Sequence, residues 1–449
     1  MQEFDIAILG SGPAGYVAAL KGARLGKTVC LIEKKDIGGV CLNQGCIPTK
    51  AIIASVDALR TVKNAQRFGI ESGTGNFDFL KIIQRKAGVV KKLVSGVNFL
   101  LKQYKVEVIQ GTGIIKEPGC ITIGDNELKA KSTIICTGSN PFLPFSIDHI
   151  NTLDSEDTLN LQALPQSIAI IGGGVIGIEL ANIFCGLGTK VTIIEMLPKI
   201  LPEVKDNDIT MLVKKKLESQ GVKIFEATKV ESISQNDKEQ VCILSNGEKV
   251  NAEKVFVVCG RTPNTEQLQN IGLTFNRKSV SVDEYMRTNI PGIYAAGDVA
   301  GQPLLAHKAS QEAVIAVENI CGENKKMDYS AVPNCIFCSP EIACVGKFEA
   351  EVEGGKTGKY NFQGVGKALC SDDTEGFTKI VSDKDGIVKG MQVIGPHASD
   401  LIMLGVIAVQ KQLKAAELGE LIYPHPTLSE CLKEAFEDVS QKAVHKFYR

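Results

Sequence analysis

The chain has 449 residues, enough for two to four domains that each bury a core of their own. Apolar residues make up 44%, charged residues 22% and the net charge is −1, so nothing favours nucleic acid or a membrane surface as a partner. No apolar run reaches the ~18 residues a membrane span needs. Fourteen cysteines behind an acidic start, Met1-Gln2-Glu3-Phe4-Asp5, with no leader, read as thiols of a reducing, cytoplasmic compartment.

The first predicted strand, Phe4 to Leu9, runs into Gly10-Ser11-Gly12-Pro13-Ala14-Gly15 and a helix to about Gly26. A second strand follows and ends at Glu33. In a GxGxxG turn the first glycine permits the bend, the second lets backbone approach a pyrophosphate and the third lets helix pack on strand. The pyrophosphate then sits on the helix N-terminus, and the acid accepts from ribose hydroxyls.

Directly after this unit come two thiols five residues apart, Cys41 and Cys46. They fall at a loop-to-helix junction, where N-terminal amides stabilise a thiolate, and Pro48 suits the first turn. A dithiol beside a redox cofactor can pass two electrons and switch to a disulfide. Helical sequence fills roughly 49–104, and the strand through Ile134 and Ile135 ends at Cys136-Thr137-Gly138-Ser139.

The opening pattern then repeats. Ser167 to Ile171 leads into Gly172-Gly173-Gly174-Val175-Ile176-Gly177, and a second strand, Lys190 to Ile194, ends at Glu195. The acid follows the first glycine by 23 residues in both copies, Gly10 to Glu33 and Gly172 to Glu195. Two matched copies imply two dinucleotides. Lys214-Lys215-Lys216 reads as a solvated helix face. A strand through Val255 closes at Cys259-Gly260-Arg261, and Ile293 to Ala296 meets Gly297-Asp298, where a carboxylate can reach a cofactor's polyol.

From about Val332 short strands dominate, Thr378 to Val381 and Gly386 to Ile394, followed by helices Asp400 to Leu413 and Leu428 to Lys442. The first helix is apolar nearly all round (Leu401, Ile402, Leu404, Val406, Ile407), which predicts burial on more than one face in an α+β domain with an association surface. Cys335-Ile336-Phe337-Cys338 reads as extended strand with its thiols on opposite faces, hence as packing and not a metal pair. No metal constellation is expected. His149 and His445 read as structural or surface. His425, before a proline, would on local sequence alone be structural, although an imidazole can take a thiol's proton.

In order, the first fingerprint, Cys41-Leu42-Asn43-Gln44-Gly45-Cys46-Ile47-Pro48-Thr49-Lys50, the second fingerprint, Ala295-Ala296-Gly297-Asp298-Val299 and His425-Pro426-Thr427-Leu428-Ser429-Glu430 resemble the flavoprotein pyridine nucleotide-disulfide oxidoreductases. The likeness covers essentially the whole chain and is greatest to the branch that oxidises protein-bound dihydrolipoamide with NAD. It implies an α/β chain of two Rossmann-like domains plus a C-terminal α+β interface domain: residues 1–145 and 265–331 for FAD, 146–264 for NAD and 332–449 for dimerisation. FAD would lie on Gly10, Gly12, Gly15, Glu33, Lys50, Gly113, Thr137, Gly138, Ser139, Asp298 and Ala306, with His307 contacting the flavin ring through backbone. NAD would lie on Gly172, Gly174, Gly177, Glu195, Val230 and Gly260. Glu195 disfavours a 2′-phosphate, and Met196-Leu197-Pro198 offers no arginine to receive one.

By the same resemblance Cys41 is the interchange thiol and Cys46 the thiol against the flavin. Lys50 pairs with Glu179, and His425 is the base, oriented by Glu430. Tyr423 stands where the family often has a second histidine. A homodimer is implied, one subunit's histidine serving the other's cysteines. The implied partners are lipoylated acyltransferases of 2-oxo acid dehydrogenase complexes or the glycine cleavage carrier. A glutathione-reductase-like enzyme is the rival, but the basic residues it would need after Glu195 are missing. A mercuric-reductase-like one would need a C-terminal cysteine pair, and none follows Cys431.

Overall fold

Strands whose residues are apolar on both faces make parallel sheets covered by helices, and this chain builds two such sheets. The structure, a computed structural model, describes residues 2–73, 75–144, 152–154, 156–236 and 239–448. The chain divides into two compact units, 1–164 with 256–328, and 165–255 with 329–449. His149 and the expected boundary at 145–146 lie outside the described residues.

In the first unit a seven-stranded sheet has Gln2–Leu9 at its centre, parallel to Val29–Glu33 on one side and Asn126–Ile135 on the other. Glu107–Gln110 extends it beyond Val29–Glu33, and Ile293–Ala295 runs parallel to Asn126–Ile135. Alternate side chains choose the face. Ile6, Ile8, Val29, Leu31 and Ile134 pack with Ala14, Ala18, Ala313 and Ala316 of the helices Pro13–Arg24 and Ala306–Ile320. Ala7, Leu9, Cys30, Ile32 and Ile135 form the core of the opposite face. The register sets Leu9 level with Ile32 and Ile135, and Ile135 level with Ala295. The carboxyl ends of these strands therefore converge, where open α/β sheets bind ligands.

In the second unit Ser167–Ile171, Lys190–Ile194 and Lys223–Phe225 lie parallel, with the helix Val175–Gly186 buried over most of its length. A three-stranded antiparallel sheet runs Val230–Gln235, Gln240–Leu244, Lys249–Ala252. The C-terminal part is a five-stranded antiparallel sheet covered by the helices Ala398–Gln410 and Glu430–Asp438.

Three expectations change. The last helix spans Glu430–Asp438 rather than Leu428 to Lys442, because the chain turns left-handed at Gln441 (φ 55°) and Lys442 N bonds back to Glu437 O. Helix Ala398–Gln410 buries Ile402, Gly405 and Ala408 and packs Leu401, Leu404, Val406 and Val409 against the core, while Met403 and Ile407 are 52% and 46% exposed within the single chain. The lysine run is not wholly solvated: Lys214 pairs with Glu226 and Lys216 with Glu375. The strand holding Cys335 stops at Ile336, and Cys338 lies beyond it, its thiol donating to Pro340 O at 3.1 Å.

Candidate active site

The third glycine of the first fingerprint is dictated by space. A Cβ on Gly15 would stand 1.8 Å from Gly10 O, so helix and turn meet backbone to backbone. Gly12 is the N-cap of the helix and supplies no side-chain cap, which leaves the first-turn amides unclaimed by side chains. A Cβ on Gly12 would meet nothing within 4 Å, so the cradle is open where a pyrophosphate would lie. Glu33 is buried at the end of its strand; Oε2 accepts from Ser11 N at 2.8 Å and Ser11 Oγ at 2.7 Å, and Oε1 from Lys35 N at 2.7 Å.

Beside this turn Thr137 Oγ1 donates to Asn264 O, and Ser139 Oγ donates to Asp298 Oδ2 at 2.6 Å. No hydrogen bond from the described residues reaches the other Asp298 oxygen, the acceptor a polyol hydroxyl would need. Gly113 opens the strand Gly113–Glu117, with Leu9 and Ile32 side chains on the side its Cβ would occupy. Ala306 and exposed His307 begin the helix Ala306–Ile320. A pyrophosphate, a ribose and a polyol thus each find suitable chemistry at one sheet edge, and FAD fits.

The dithiol is attached to this cradle. Cys41 lies in the short helix Gly39–Asn43, and Cys46 is the first residue of the helix Cys46–Asn64. A Cβ on Gly39 would come within 2.8 Å of Gly12 Cα, so the cysteine segment rests directly on the fingerprint. Asn43 Nδ2 braces the segment through Ile37 O and Gly39 O. Both cysteines are half-buried. The Cys41 thiol is held well above the ordinary range, first by its hydrogen bond to Cys46, then by burial and by negative charge on Cys46; the Lys50 ammonium pulls it back. Tyr16, which sequence reasoning passed over, also faces the pair: burial, then charge on Cys41 and Cys46, pushes its phenol up. Its only sequence signal is its place one turn beyond Gly12.

The second fingerprint repeats the first. A Cβ on Gly177 would stand 2.0 Å from Gly172 O, and Gly174 is an open N-cap. Glu195 is buried, accepting from Gly173 N at 2.6 Å and Leu197 N at 2.7 Å. Met196 and Leu197 beside it are exposed. Val230 opens its strand with its side chain buried, and Gly260 (φ 112°) belongs to the first unit. This cradle fits a dinucleotide with free ribose hydroxyls. Glu179, on the helix Val175–Gly186, accepts from Phe337 N at 3.1 Å; Lys50 and Glu179 lie in different units.

His425 Nδ1 meets Glu430 Oε1 at 2.8 Å, and Thr427 N donates to Glu430 Oε2 at 2.9 Å. Burial pushes the Glu430 carboxyl up, but the bonds from His425 and Thr427 outweigh it and hold the group below the usual carboxylate range. The imidazole side chain is 78% exposed, with Nε2 left for a reaction partner. Tyr423 is unsuited to proton transfer: burial, then charge on Glu437, pushes its hydroxyl to about 12, and it donates to Leu418 O. His445, expected to be structural or surface, is 72% exposed and pairs with Glu434 at 2.7 Å. Among the described residues no cluster could hold a metal and no helix is long and apolar enough to cross a membrane.

Two dinucleotide cradles, one carrying a dithiol, define a flavin-linked disulfide oxidoreductase. Residues 4–313 match the pyridine nucleotide-disulphide oxidoreductases and residues 332–436 match their dimerisation domain, and the chain belongs to that family. Its cofactors are FAD and NAD. It is 40% identical to a dihydrolipoyl dehydrogenase of Bacillus subtilis (strain 168), over 99% of each chain. It is 39% identical to that of Geobacillus stearothermophilus, over 99% of this chain and 97% of that one. LpdA from Mycobacterium tuberculosis matches in structure with a TM-score of 0.89 at 28% identity, covering 97% of this chain and 99% of that chain. The HOCl-induced flavoprotein disulfide reductase RclA from Escherichia coli matches at 0.87 and 28%, with the same coverage.

Proposed function

We propose that the protein oxidises protein-bound dihydrolipoamide to lipoamide, through a Cys41–Cys46 disulfide and FAD, with reduction of NAD to NADH. The observation that carries this reading is the dithiol seated on the first fingerprint, Gly39 against Gly12. The full-length likeness to dihydrolipoyl dehydrogenases supports the substrate.

The proton step belongs to His425. With Nδ1 engaged by Glu430, Nε2 takes a proton from one thiol of the dihydrolipoyl group, and Glu430 stabilises the imidazolium. The resulting thiolate attacks Cys41 Sγ of the disulfide and expels Cys46 as thiolate. The second substrate thiol then attacks the substrate sulfur of the mixed disulfide. The lipoyl ring closes and Cys41 leaves, taking the first proton from the imidazolium, while the proton of the second substrate thiol passes to the freed Nε2 of His425. One disulfide and one dithiol have exchanged states, and the electron pair rests on Cys46. The amino end of the helix Cys46–Asn64 and the Lys50 ammonium stabilise that charge. Bound FAD supplies the acceptor for this electron pair and its onward transfer as hydride to NAD. Lys50 would lie beside the flavin when FAD is bound, and Glu195 would select NAD over NADP.

The enzyme works as a homodimer, one subunit's His425 serving the partner's cysteines, consistent with the matched dimerisation domain. Its protein substrates are lipoylated acyltransferase cores or the glycine cleavage carrier. A cytoplasmic setting suits a chain of fourteen cysteines.

Cys46→Ser tests the mechanism. The variant should keep FAD and lose at least about 1,000-fold in lipoamide turnover, the scale on which loss of a covalent participant is felt. In the native enzyme, anaerobic titration with dihydrolipoamide should raise a broad long-wavelength band at two-electron reduction, absent from the variant. Unchanged turnover by Cys46→Ser would refute the proposal.

A further inference from the structure

Lys308 and Glu312 are the most deeply buried ion pair of the first unit, with side chains 0% and 2% exposed. Two charges are not placed in a core for packing, since apolar residues of the same size commonly serve stability as well or better. Their partners indicate another purpose. Lys308 Nζ reaches Glu312 Oε2 at 3.1 Å, Gly297 O at 3.2 Å and Gly301 O at 2.9 Å, which uses all three ammonium donors. Glu312 Oε2 also accepts from Gly297 N at 2.8 Å. The pair therefore grips both ends of one turn, Gly297 to Gly301, and Asp298 lies inside it.

That turn is tightly placed. Gly297 has φ 86°, and a Cβ there would be 3.3 Å from Ala14 Cβ and 3.5 Å from Ala309 Cβ, so the turn is wedged between two helix starts. Ala300 N bonds to Gly297 O and Gly301 N to Asp298 O, closing it internally. From the other side Ser139 Oγ fixes Asp298 Oδ2, and Arg261 Nε fixes Ser139 Oγ at 2.8 Å. The Glu312 charge is also felt at Cys136, whose thiol is pushed up first by burial and then by this carboxylate. Cys136, at the strand end that leads to Thr137–Ser139, packs in one core with Ala309 and Ala313 of the helix that carries the pair.

We infer that Lys308 and Glu312 are positioning residues for FAD: by locking the Gly297–Gly301 turn they aim the Asp298 carboxylate at the flavin's polyol chain and set how long FAD stays bound. The inference rests on the reading of Asp298 as a flavin ligand.

The test follows FAD leaving the holoenzyme by the rise of flavin fluorescence on dilution. The proteins are the native chain, Lys308→Gln, Glu312→Gln, Asp298→Ala and the two doubles with Asp298→Ala. Each charge variant should release FAD roughly 10- to 100-fold faster, the range found when the outer partner of a ligating group is removed. In the Asp298→Ala background the same substitutions should change the rate less than about twofold, because coupled residues are not additive. Equal acceleration in both backgrounds would reveal general loosening and overturn the inference, with Asp298 still a ligand. Unchanged release from Asp298→Ala alone would instead remove Asp298 from the cofactor site, and the inference with it. Should Lys308→Gln not fold, Glu312→Gln carries the test, because the amide still accepts from Gly297 while losing the charge that holds Lys308.

Discussion

The two fingerprints share spacing and backbone path, yet they are wired differently. In the first, Ser11 stands between the glycines, and its hydroxyl joins Glu33 to the segment leading to the cysteines: Oγ donates to Glu33 Oε2 and accepts from Gly38 N at 3.2 Å. In the second the same position is Gly173, where a Cβ would lie 3.0 Å from Ile200 Cγ2 and 3.1 Å from Glu195 Cβ. There two backbone amides, Gly173 N and Leu197 N, hold the acid without a hydroxyl, and the opposing loop is fixed through Leu201 N to Gly173 O. The first cradle is tied to the redox segment and, through the Gly297–Gly301 turn, to a second helix. Such cross-bracing suits a cofactor that stays, whereas the lighter wiring of the second suits one that exchanges each turnover.

The strongest way to break this contrast is to fill the third glycine of each turn. Gly15→Ala and Gly177→Ala both push a methyl onto a carbonyl, at 1.8 and 2.0 Å, and each should cost more than the ~1–3 kcal/mol usual for overpacking. The consequences should differ. Gly15→Ala should abolish FAD retention and every activity. Gly177→Ala should be isolated with near-stoichiometric FAD and reduce artificial dyes with dihydrolipoamide, but fail with NAD. Flavin-to-protein ratio and the two assays check this; equal loss of FAD from both would erase the distinction.

A smaller effect comes from Glu195→Ser. Removal of the carboxylate frees Gly173 N and Leu197 N and withdraws a buried negative charge from the ribose site. NAD should lose about 10- to 150-fold in kcat/KM, the equivalent of the ~1.5–3 kcal/mol of a hydrogen bond to a charged group, and the NAD/NADP ratio should fall by at least as much. Steady-state kinetics with both nucleotides measures it. A preserved ratio would detach Glu195 from selectivity.

Much of the site was legible because its signals are local. Glycine spacing, the Cys41–Cys46 interval and the His425–Glu430 interval each lie within one short stretch of chain. The parts that escaped depend on residues far apart in sequence. Nothing near Ser11 announces that Gly38 will meet its hydroxyl, and nothing near Lys308 announces that two glycine carbonyls will need an ammonium. Lys216 and Lys214 looked solvated because their carboxylates, Glu375 and Glu226, come from other elements. Helix Ala398–Gln410 was legible because its apolar residues are local: Ile402, Gly405 and Ala408 are buried in the chain's own core, and Met403 and Ile407 stay exposed within the matched dimerisation domain.

Ser11→Gly sharpens the contrast by giving the first turn the residue of the second. It deletes the hydroxyl bonds to Glu33 and Gly38 but keeps the Ser11 amide bond to Glu33. At about 0.5–1.5 kcal/mol for a net hydrogen bond, FAD should leave roughly three- to tenfold faster. Because Gly38 opens the cysteine segment, the long-wavelength band of the two-electron-reduced enzyme should also weaken. Faster release with an unchanged band would confine Ser11 to the cradle itself.

The smallest expected effect lies at the opposite ends of the same sheets. Asp5 fastens the start of its strand: Oδ2 accepts from Thr28 N at 2.9 Å and Oδ1 from Lys131 Nζ at 2.8 Å. Glu253 plays the matching part in the second unit, but accepts from a backbone amide, Gln166 N, and no cation among the described residues pairs with it. Lys131 first, then the Thr28 amide, pulls the Asp5 carboxyl down to about 2. A carboxyl more acidic in the folded state than in the unfolded one stabilises the fold fully above the unfolded value, near 3.9, and loses that contribution as pH falls toward the folded value. The pair is partly exposed, at 24% for Asp5 and 69% for Lys131, so solvent screening limits Asp5→Asn to about 0.2–1 kcal/mol at pH 7. Urea midpoints of native and Asp5→Asn proteins, compared with FAD bound at pH 7, 5 and 3, should show a constant gap down to pH 5 that narrows at pH 3. A gap that held or widened at pH 3 would mean that the carboxylate's charge is not what fastens this strand.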